Sequence, residues 1–258
     1  MLPSKLVVTA QYHAGLADKP AVLLLHGFLQ TRDAPPMSTL GQSLADAGYT
    51  VLMPTLSLGY SQRNQSLACE AMHTHTLQND TAELALWVDW LDKNSHGPIF
   101  LVGHSNGSAV VMNYIAQRPA KSIQGAILTS VVPIKIDPVE YQHALEDKTQ
   151  SSAAALKKYR ISYCQHSYLS SAAGYLSYAR LSERTMLAKL HKAKKPFQII
   201  VGSADQVFSP GWERQLKTAF PSTIVIPGAG HFFDGAYEFA LLDQVQLVLN
   251  QWPKRKGT

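Results

Sequence analysis

Short apolar runs bounded by glycine or proline alternate along this chain with longer segments in which apolar residues recur every three or four positions. Runs of the first kind are typical of buried strands, and segments of the second kind are typical of amphipathic helices. Six strands are predicted on this basis, at residues 21–25, 50–53, 99–102, 126–132, 197–201 and 223–226. The alternation predicts an α/β fold, with a mostly parallel central sheet and helices on both of its faces.

Three helices are predicted from the periodic segments, and two of them have a recognisable start or end. Residues 38–47 form a periodic segment that stops at Gly48, a residue suited to the end of a helix. The next helix is expected to begin at Asp80, whose carboxylate can cap it while Glu83 reaches back toward the cap. The last helix is predicted over residues 236–252.

One long stretch, residues 134–195, interrupts this alternation. It contains no predicted strand, and its helical patches lie at 153–159 and 181–190. A plain loop of this length is uncommon in a compact domain. We therefore expect a helical cap over the edge of the sheet, inserted into a single α/β domain that spans residues 1–258.

The composition agrees with a folded protein that has a substantial core. Of the 258 residues, 46% are hydrophobic and 16% are charged, against a usual charged share of about 25%. This balance excludes a mainly disordered chain. No uninterrupted apolar run is longer than five residues, so no integral membrane segment is predicted.

The charge and the cysteine content limit which binding partners and which cellular compartment are expected. The net charge of +5 comes largely from short basic runs, and no base-stacking or groove-reading motif accompanies it, so we expect no nucleic-acid partner. With only Cys69 and Cys164 present, no disulfide framework can be inferred, and a reducing compartment is the simpler interpretation. Because the start of the chain also lacks the apolar stretch of a signal peptide, we expect a cytoplasmic protein. The sequence does not indicate an oligomeric state.

The clearest chemical motif is Gly-His-Ser-Asn-Gly at residues 103–107. It follows the predicted strand 99–102 directly and opens a helical segment that Pro119 ends. A serine at such a sharp strand-to-helix turn has strained backbone, and only glycines leave room on either side of it. The helix that follows Ser105 directs its free N–H groups toward the place where an oxyanion would form.

This motif, in this context, resembles the nucleophile turn of the α/β-hydrolase family, and the resemblance extends over residues 21–252. The His-Gly-Phe sequence that ends at Phe28 is similar to the family's His-Gly-x turn. The resemblance implies that the backbone N–H groups of Phe28 and Asn106 form the oxyanion hole. It also implies that His26 is structural and not the catalytic base.

The resemblance extends to two partners for Ser105, since the family's chain order is serine, acid, histidine. A Gly-Ser-Ala-Asp turn ends at Asp205 directly after a predicted strand, and a glycine-rich stretch leads into His231. The implied catalytic residues are therefore Ser105, Asp205 and His231. Two other carboxylates, Asp234 and Asp137, stay open as alternatives for the acid.

The resemblance implies a serine hydrolase that cleaves an ester, thioester or amide of a small-molecule acyl substrate through an acyl-enzyme. Such chemistry needs no metal and no organic cofactor. Serine at position 105 is unlike the family's dehalogenases and epoxide hydrolases, which have aspartate there. The alternative is a binding or scaffold protein that has this fold without the chemistry.

Two further groups of residues have open roles. Cys69, His73 and His75 lie close together, but their spacing matches no usual zinc pattern, so no metal is expected. Either histidine could instead border the mouth of a substrate site. Five tyrosines of the predicted cap could roof an apolar acyl group or simply pack against the sheet; they are Tyr159, Tyr163, Tyr168, Tyr175 and Tyr178.

Overall fold

The computed structural model describes residues 5–149 and 155–251, and its main feature is a seven-stranded sheet in the order β1-β3-β2-β4-β5-β8-β9. The strands of the described residues, including two outside this sheet, are β1 (Thr9–His13), β2 (Ala21–Leu25), β3 (Thr50–Thr55), β4 (Ile99–His104), β5 (Ile123–Thr129), β6 (Leu156–Ile161), β7 (Cys164–Ser171), β8 (Phe197–Gly202) and β9 (Ile224–Ile226). Strand β1 is antiparallel to β3, and every other pair in the large sheet is parallel. The predicted fold class is confirmed.

Helices cover both faces of the sheet, as predicted. They are α1 (Met37–Asp46), α2 (Leu77–Asn94), α3 (Asn106–Ile115), α4 (Pro138–Thr149), α5 (Ala172–Ala179), α6 (Glu183–His191), α7 (Trp212–Ala219) and α8 (Ala236–Gln251). Helices α1 and α8 pack into the apolar core on one face, and the other six contribute buried residues to the core on the opposite face. Trp252, in the predicted last helix, lies outside the described residues.

All six predicted strands are present. They could be recognised because a strand that is covered on both faces appears in the sequence as a continuous apolar run. Strand β5 begins and ends a few residues earlier than predicted, at Ile123 and Thr129. Strand β1 was not predicted. It lies at the edge of the sheet with half-buried residues, so it has no apolar run to reveal it.

The predicted start of α2 was wrong. The helix begins one turn earlier, where the Thr76 side chain accepts from the Asn79 N–H and the Asn79 side chain accepts from the Thr76 N–H. Asp80 and Glu83 are instead buried on the inner side of the helix. Glu83 accepts hydrogen bonds from the backbone N–H and the hydroxyl of Ser57.

The expectation of a strandless, helical insertion was also wrong. Between β5 and β8 the chain forms α4, an antiparallel hairpin of β6 and β7, and then α5 and α6. The helix predicted over 153–159 is replaced by β6 from Leu156 onward, and residues 153 and 154 lie outside the described part of the chain. The hairpin is held by distant contacts, such as Tyr159 stacked on Tyr175 at a ring separation of 4.2 Å.

The two cysteines form a disulfide, Cys69–Cys164, which links the loop after β3 to the first residue of β7. They are 95 residues apart in the sequence, so no local spacing indicated the pairing. The disulfide contradicts the expectation of reduced cysteines and removes that argument for a cytoplasmic location.

Within the described ranges, none of the helices is both long enough and apolar enough to cross a membrane.

Candidate active site

Ser105 lies in a strained turn between β4 and α3, with φ 53° and ψ −115°. The turn exists because two glycines let the surrounding backbone approach closely. A Cβ added to Gly103 would lie 2.6 Å from the backbone of Gly107, and a Cβ added to Gly107 would lie 2.5 Å from the carbonyl oxygen of Leu25. The Ser105 side chain is thereby directed outward at the carboxyl ends of the parallel strands, where such sheets bind ligands.

The structure brings the three predicted side chains into one hydrogen-bonded chain. The Ser105 Oγ lies 2.9 Å from Nε2 of His231, and Nδ1 of His231 lies 2.7 Å from Oδ2 of Asp205. An ionised carboxylate can only accept hydrogen bonds, so the His231 proton belongs on Nδ1. Nε2 is then free to accept the Ser105 hydroxyl proton, which is the geometry that a general base needs.

Two loops hold His231 and Asp205 in place. Asp205 follows β8, and its Oδ1 accepts a hydrogen bond of 2.9 Å from the N–H of Val207. His231 follows β9, and its carbonyl oxygen accepts a hydrogen bond of 2.7 Å from the Ser130 hydroxyl. The carboxylate is fully buried and the imidazole is 9% exposed, so little water competes for their mutual hydrogen bond.

The two alternative carboxylates have other surroundings. Asp137 accepts hydrogen bonds from the N–H groups of Val139 and Glu140 at the start of α4, and these bonds lower the pKa of its carboxyl. Asp234 is exposed to solvent. Asp205 is the carboxylate that contacts the His231 ring.

Of the two predicted oxyanion donors, one follows Ser105 directly in the chain and the other belongs to a residue that lines the same cavity. Asn106 is the first residue of α3, where a backbone N–H has no partner within its helix. Phe28 lies in the turn after β2 and, like Ser105, lines a common cavity. Across residues 5–149 and 155–251, neither of these N–H groups donates a hydrogen bond.

The cavity above Ser105 has a volume of about 590 Å³, within the range of small-molecule sites. Its walls are mainly apolar and include Phe28, Ile134, Tyr163 and Phe232. Tyr163 packs edge-on against Phe28 at a ring separation of 5.4 Å. Tyr163 is one of the five cap tyrosines for which a role in covering an acyl group was open, and it lies in the turn between β6 and β7.

The other cap tyrosines pack and do not line the cavity. Tyr159, Tyr168, Tyr175 and Tyr178 are each no more than 3% exposed. Burial raises the pKa of Tyr159 to about 12 and holds its phenol neutral. Of the five tyrosines, Tyr163 therefore lines the cavity, and the other four pack in the core.

The Cys69, His73 and His75 group does not form a metal site. The sulfur of Cys69 is in the disulfide, and His75 Nδ1 lies 2.8 Å from the buried carboxylate of Asp80. The His73 ring stacks on Tyr168 at 4.1 Å, and its Nε2 donates to the carbonyl oxygen of Cys69. Among the described residues, no group of histidines, cysteines and carboxylates could hold a metal ion.

Comparisons with known proteins agree with this architecture. A sequence model described as "alpha/beta hydrolase fold" matches residues 20–160, more than half of the chain. The structure is similar to Est1E from Butyrivibrio proteoclasticus, solved with ferulic acid bound, with 16% identity, a TM-score of 0.70 and 96% of each chain covered. It is also similar to a monoacylglycerol lipase from Paleococcus ferrophilus, with 18% identity, a TM-score of 0.68 and coverage of 95% and 99% of the two chains.

A third similar structure is the thioesterase domain from the curacin biosynthetic pathway, with 17% identity, a TM-score of 0.59 and coverage of 93% and 99% of the two chains. At these identities, the likeness establishes the fold alone. No curated protein matches the sequence.

Because His73 is buried, the free energy of unfolding is expected to depend on pH. Burial and the neighbouring His75 lower the pKa of the His73 imidazole from 6.5 to about 4. Between these values the unfolded chain takes up a proton that the folded protein excludes. The contribution of His73 to stability is therefore fully present above pH 6.5 and is lost as the pH falls toward 4.

The variant His73→Phe keeps a ring against Tyr168 but cannot titrate. We expect the free energy of unfolding of the wild type, relative to this variant, to fall by roughly 1 kcal/mol per pH unit between pH 6.5 and 5. Urea denaturation of both proteins at several pH values measures this difference. A difference that is constant with pH would contradict the prediction.

Proposed function

Since this chain belongs to the alpha/beta hydrolase fold family, we propose that it is a serine hydrolase with Ser105 as nucleophile, His231 as general base and Asp205 as the acid that orients His231. One observation carries the proposal. It is the continuous hydrogen-bonded chain from the Ser105 hydroxyl through His231 to the Asp205 carboxylate, with heavy-atom distances of 2.9 and 2.7 Å.

The reaction begins at the Ser105 hydroxyl, a poor nucleophile until a base removes its proton. Nε2 of His231 takes this proton as Oγ attacks the acyl carbon of the substrate. The imidazole becomes positively charged, and the buried carboxylate of Asp205 stabilises that charge through Nδ1. Attack converts the carbonyl of the substrate into a tetrahedral intermediate with a negatively charged oxygen.

The backbone N–H groups of Phe28 and Asn106 bind that oxygen. Both donors lack other partners among the described residues, and α3 adds the positive end of its dipole on the side of Asn106. In comparable sites, one such donor contributes about 3 to 4 kcal/mol to the transition state. The preformed turns are therefore part of the catalytic machinery.

Collapse of the intermediate breaks the bond to the leaving group, which takes the proton from Nε2 and departs as an alcohol, thiol or amine. The acyl group stays on the Ser105 oxygen. Water then attacks this acyl-enzyme, with His231 again acting as base, and releases the carboxylic acid and the free hydroxyl. The protein's own side chains and one water account for every proton, so no metal or organic cofactor enters the proposed cycle.

The cavity favours a small-molecule acyl substrate with an apolar part. Its volume of about 590 Å³ and the walls formed by Ile134, Tyr163 and Phe232 suit an ester, thioester or amide of modest size. Residues 134–195 serve in this proposal as a cap that closes one side of the cavity in a single-domain protein. The alternative, a binding protein without chemistry, has no need for a base within hydrogen-bond distance of the strained Ser105.

Labelling with a fluorophosphonate probe tests the nucleophile. The wild type is expected to react in a single stoichiometric step, because the probe bonds to an activated serine oxygen. Ser105→Ala is expected to lose the label, whereas Ser95→Ala, a serine at the end of α2, is expected to retain it. Intact-protein mass spectrometry reads the result. A wild type that does not label would favour the binding protein, and a Ser105→Ala variant that still labels would place the nucleophile elsewhere.

Replacing the acid tests the role of Asp205. The variant Asp205→Asn keeps the shape of the side chain but no longer fixes the Nδ1 proton of His231, so kcat for p-nitrophenyl esters is expected to fall by about 10⁴. The matched variant Asp234→Asn is expected to retain activity, since Asp234 is exposed. Circular dichroism confirms that both variants are folded. Unchanged rates in Asp205→Asn would transfer the role to another carboxylate.

A further inference from the structure

Arg63 is a buried arginine without a carboxylate partner. Its side chain lies in the loop after β3, and the residue is 6% exposed. The described part of the chain contains no ion pair to this guanidinium. Burial lowers its pKa to about 10, while Glu83 and Asp80 act on it in the opposite sense from a distance. The group therefore stays charged at neutral pH, and such a charge is costly to bury unless many hydrogen bonds compensate for it.

Those hydrogen bonds converge on the turn that carries Phe28. Nη2 of Arg63 donates to the carbonyl oxygen of Gln30 at 2.7 Å, and Nη1 donates to the carbonyl oxygen of Leu29 at 3.3 Å. The same guanidinium is anchored on its other side by the carbonyl oxygens of Leu56, at 2.7 Å from Nε, and Gln65, at 3.0 Å from Nη1. Arg63 thus joins the turn after β2 to the loop after β3.

A second connection runs through the ring of His26. Nε2 of His26 accepts hydrogen bonds from Nη2 of Arg63 at 3.2 Å and from the N–H of Leu56 at 3.1 Å. With Nε2 acting as acceptor, the ring proton is on Nδ1, which donates to the carbonyl oxygen of Gly27 at 2.9 Å. Burial and the charge of Arg63 lower the pKa of His26 to about 3, so the ring keeps this single protonated nitrogen across the neutral range.

The carbonyl of Gly27 and the N–H of Phe28 belong to the same peptide unit. Because a peptide unit is planar, a hydrogen bond that fixes its carbonyl also fixes the direction of its N–H on the opposite side. The N–H of Gln30 donates to the same Gly27 oxygen at 3.3 Å. The orientation of the Phe28 N–H is therefore set partly by His26, and through it by Arg63, neither of which lines the cavity.

We propose that Arg63 is a positioning residue that holds the Phe28 N–H in the direction of the developing oxyanion. It does so through the carbonyls of Leu29 and Gln30 and through the tautomer of His26. This inference rests on the proposed serine-hydrolase function. An arginine suits the role because its planar fork reaches several acceptors at once in fixed directions, whereas the ammonium group of lysine is a single point.

If Arg63 had only a structural role, its replacement would have a different set of effects on catalysis. Loss of a structural contact lowers the fraction of folded enzyme and reduces the rates of all substrates equally. Loss of a positioning contact lowers kcat with little change in KM, because the donor acts mainly on the transition state. It also reduces the preference for an oxygen ester over the corresponding thionoester, whose sulfur is the weaker hydrogen-bond acceptor. That ratio does not depend on how much of the enzyme is active.

The test compares Arg63→Lys with the matched variant Arg32→Lys. Arg32 is also partly buried and close to this turn, but its guanidinium donates to the hydroxyls of Thr9 and Thr55. For Arg63→Lys we expect kcat for an oxygen ester to fall about 10- to 100-fold, with KM changed less than about twofold and the ester-to-thionoester ratio reduced. Inhibition by a trifluoromethyl ketone, which forms an oxyanion on the nucleophile, is expected to weaken in parallel. Arg32→Lys is expected to match the wild type in all four quantities.

Denaturant unfolding of each variant shows whether it is folded. If Arg63→Lys does not fold, Arg63→Gln removes the buried charge and loses the same contacts to the turn, so the same ratio is measured there. A folded Arg63 variant with an unchanged ester-to-thionoester ratio would overturn the positioning role while leaving the serine-hydrolase proposal intact. A wild type that neither hydrolyses esters nor labels at Ser105 would instead refute the proposed function itself.

Discussion

The backbone turn at Ser105 is the constraint on which the arrangement of this site depends. A serine with φ 53° costs about 1 to 3 kcal/mol relative to relaxed backbone, and the buried packing of β4 and α3 against β2 maintains it. Gly103 and Gly107 make that packing possible, since any side chain at either position would meet neighbouring backbone at less than 3 Å. Ser105 is therefore placed by the core of the protein, and His231 and Asp205 reach it because parallel strands end at the same edge of the sheet.

The opposite wall of the cavity is fixed by different means. The buried Arg63 donates hydrogen bonds to the turn that carries Phe28. The phenyl ring of Phe28 packs against Tyr163 from the turn between β6 and β7. Tyr163 precedes Cys164, whose disulfide to Cys69 ties the hairpin to the loop after β3. Arg63 and Cys69 both belong to the loop after β3, so this loop contacts both the proposed oxyanion turn and the hairpin that carries Tyr163. A change in the turn or in the hairpin is therefore expected to affect the other.

The parallel sheet and the turn at Ser105 could be predicted from sequence because both depend on local signals, whereas Asp205 and His231 were implied by the resemblance to a family. Continuous apolar runs reveal doubly covered strands, and the glycines around Ser105 reveal a turn that few other residues permit. Several of the features that were missed depend on residues far apart in the chain. Asp80 has the local pattern of a helix cap, yet it is buried against His75 and the hydroxyl of Tyr178. The hairpin and the disulfide likewise owe their stability to partners that no short window contains.

The most direct measurement is a crystal structure of the protein after reaction with a fluorophosphonate. We expect a phosphorus atom bonded to Oγ of Ser105, with the phosphoryl oxygen within hydrogen-bond distance of the N–H groups of both Phe28 and Asn106. His231 should still contact Asp205 through Nδ1. Phosphorus on a different side chain, or a phosphoryl oxygen turned away from these two N–H groups, would contradict this expectation.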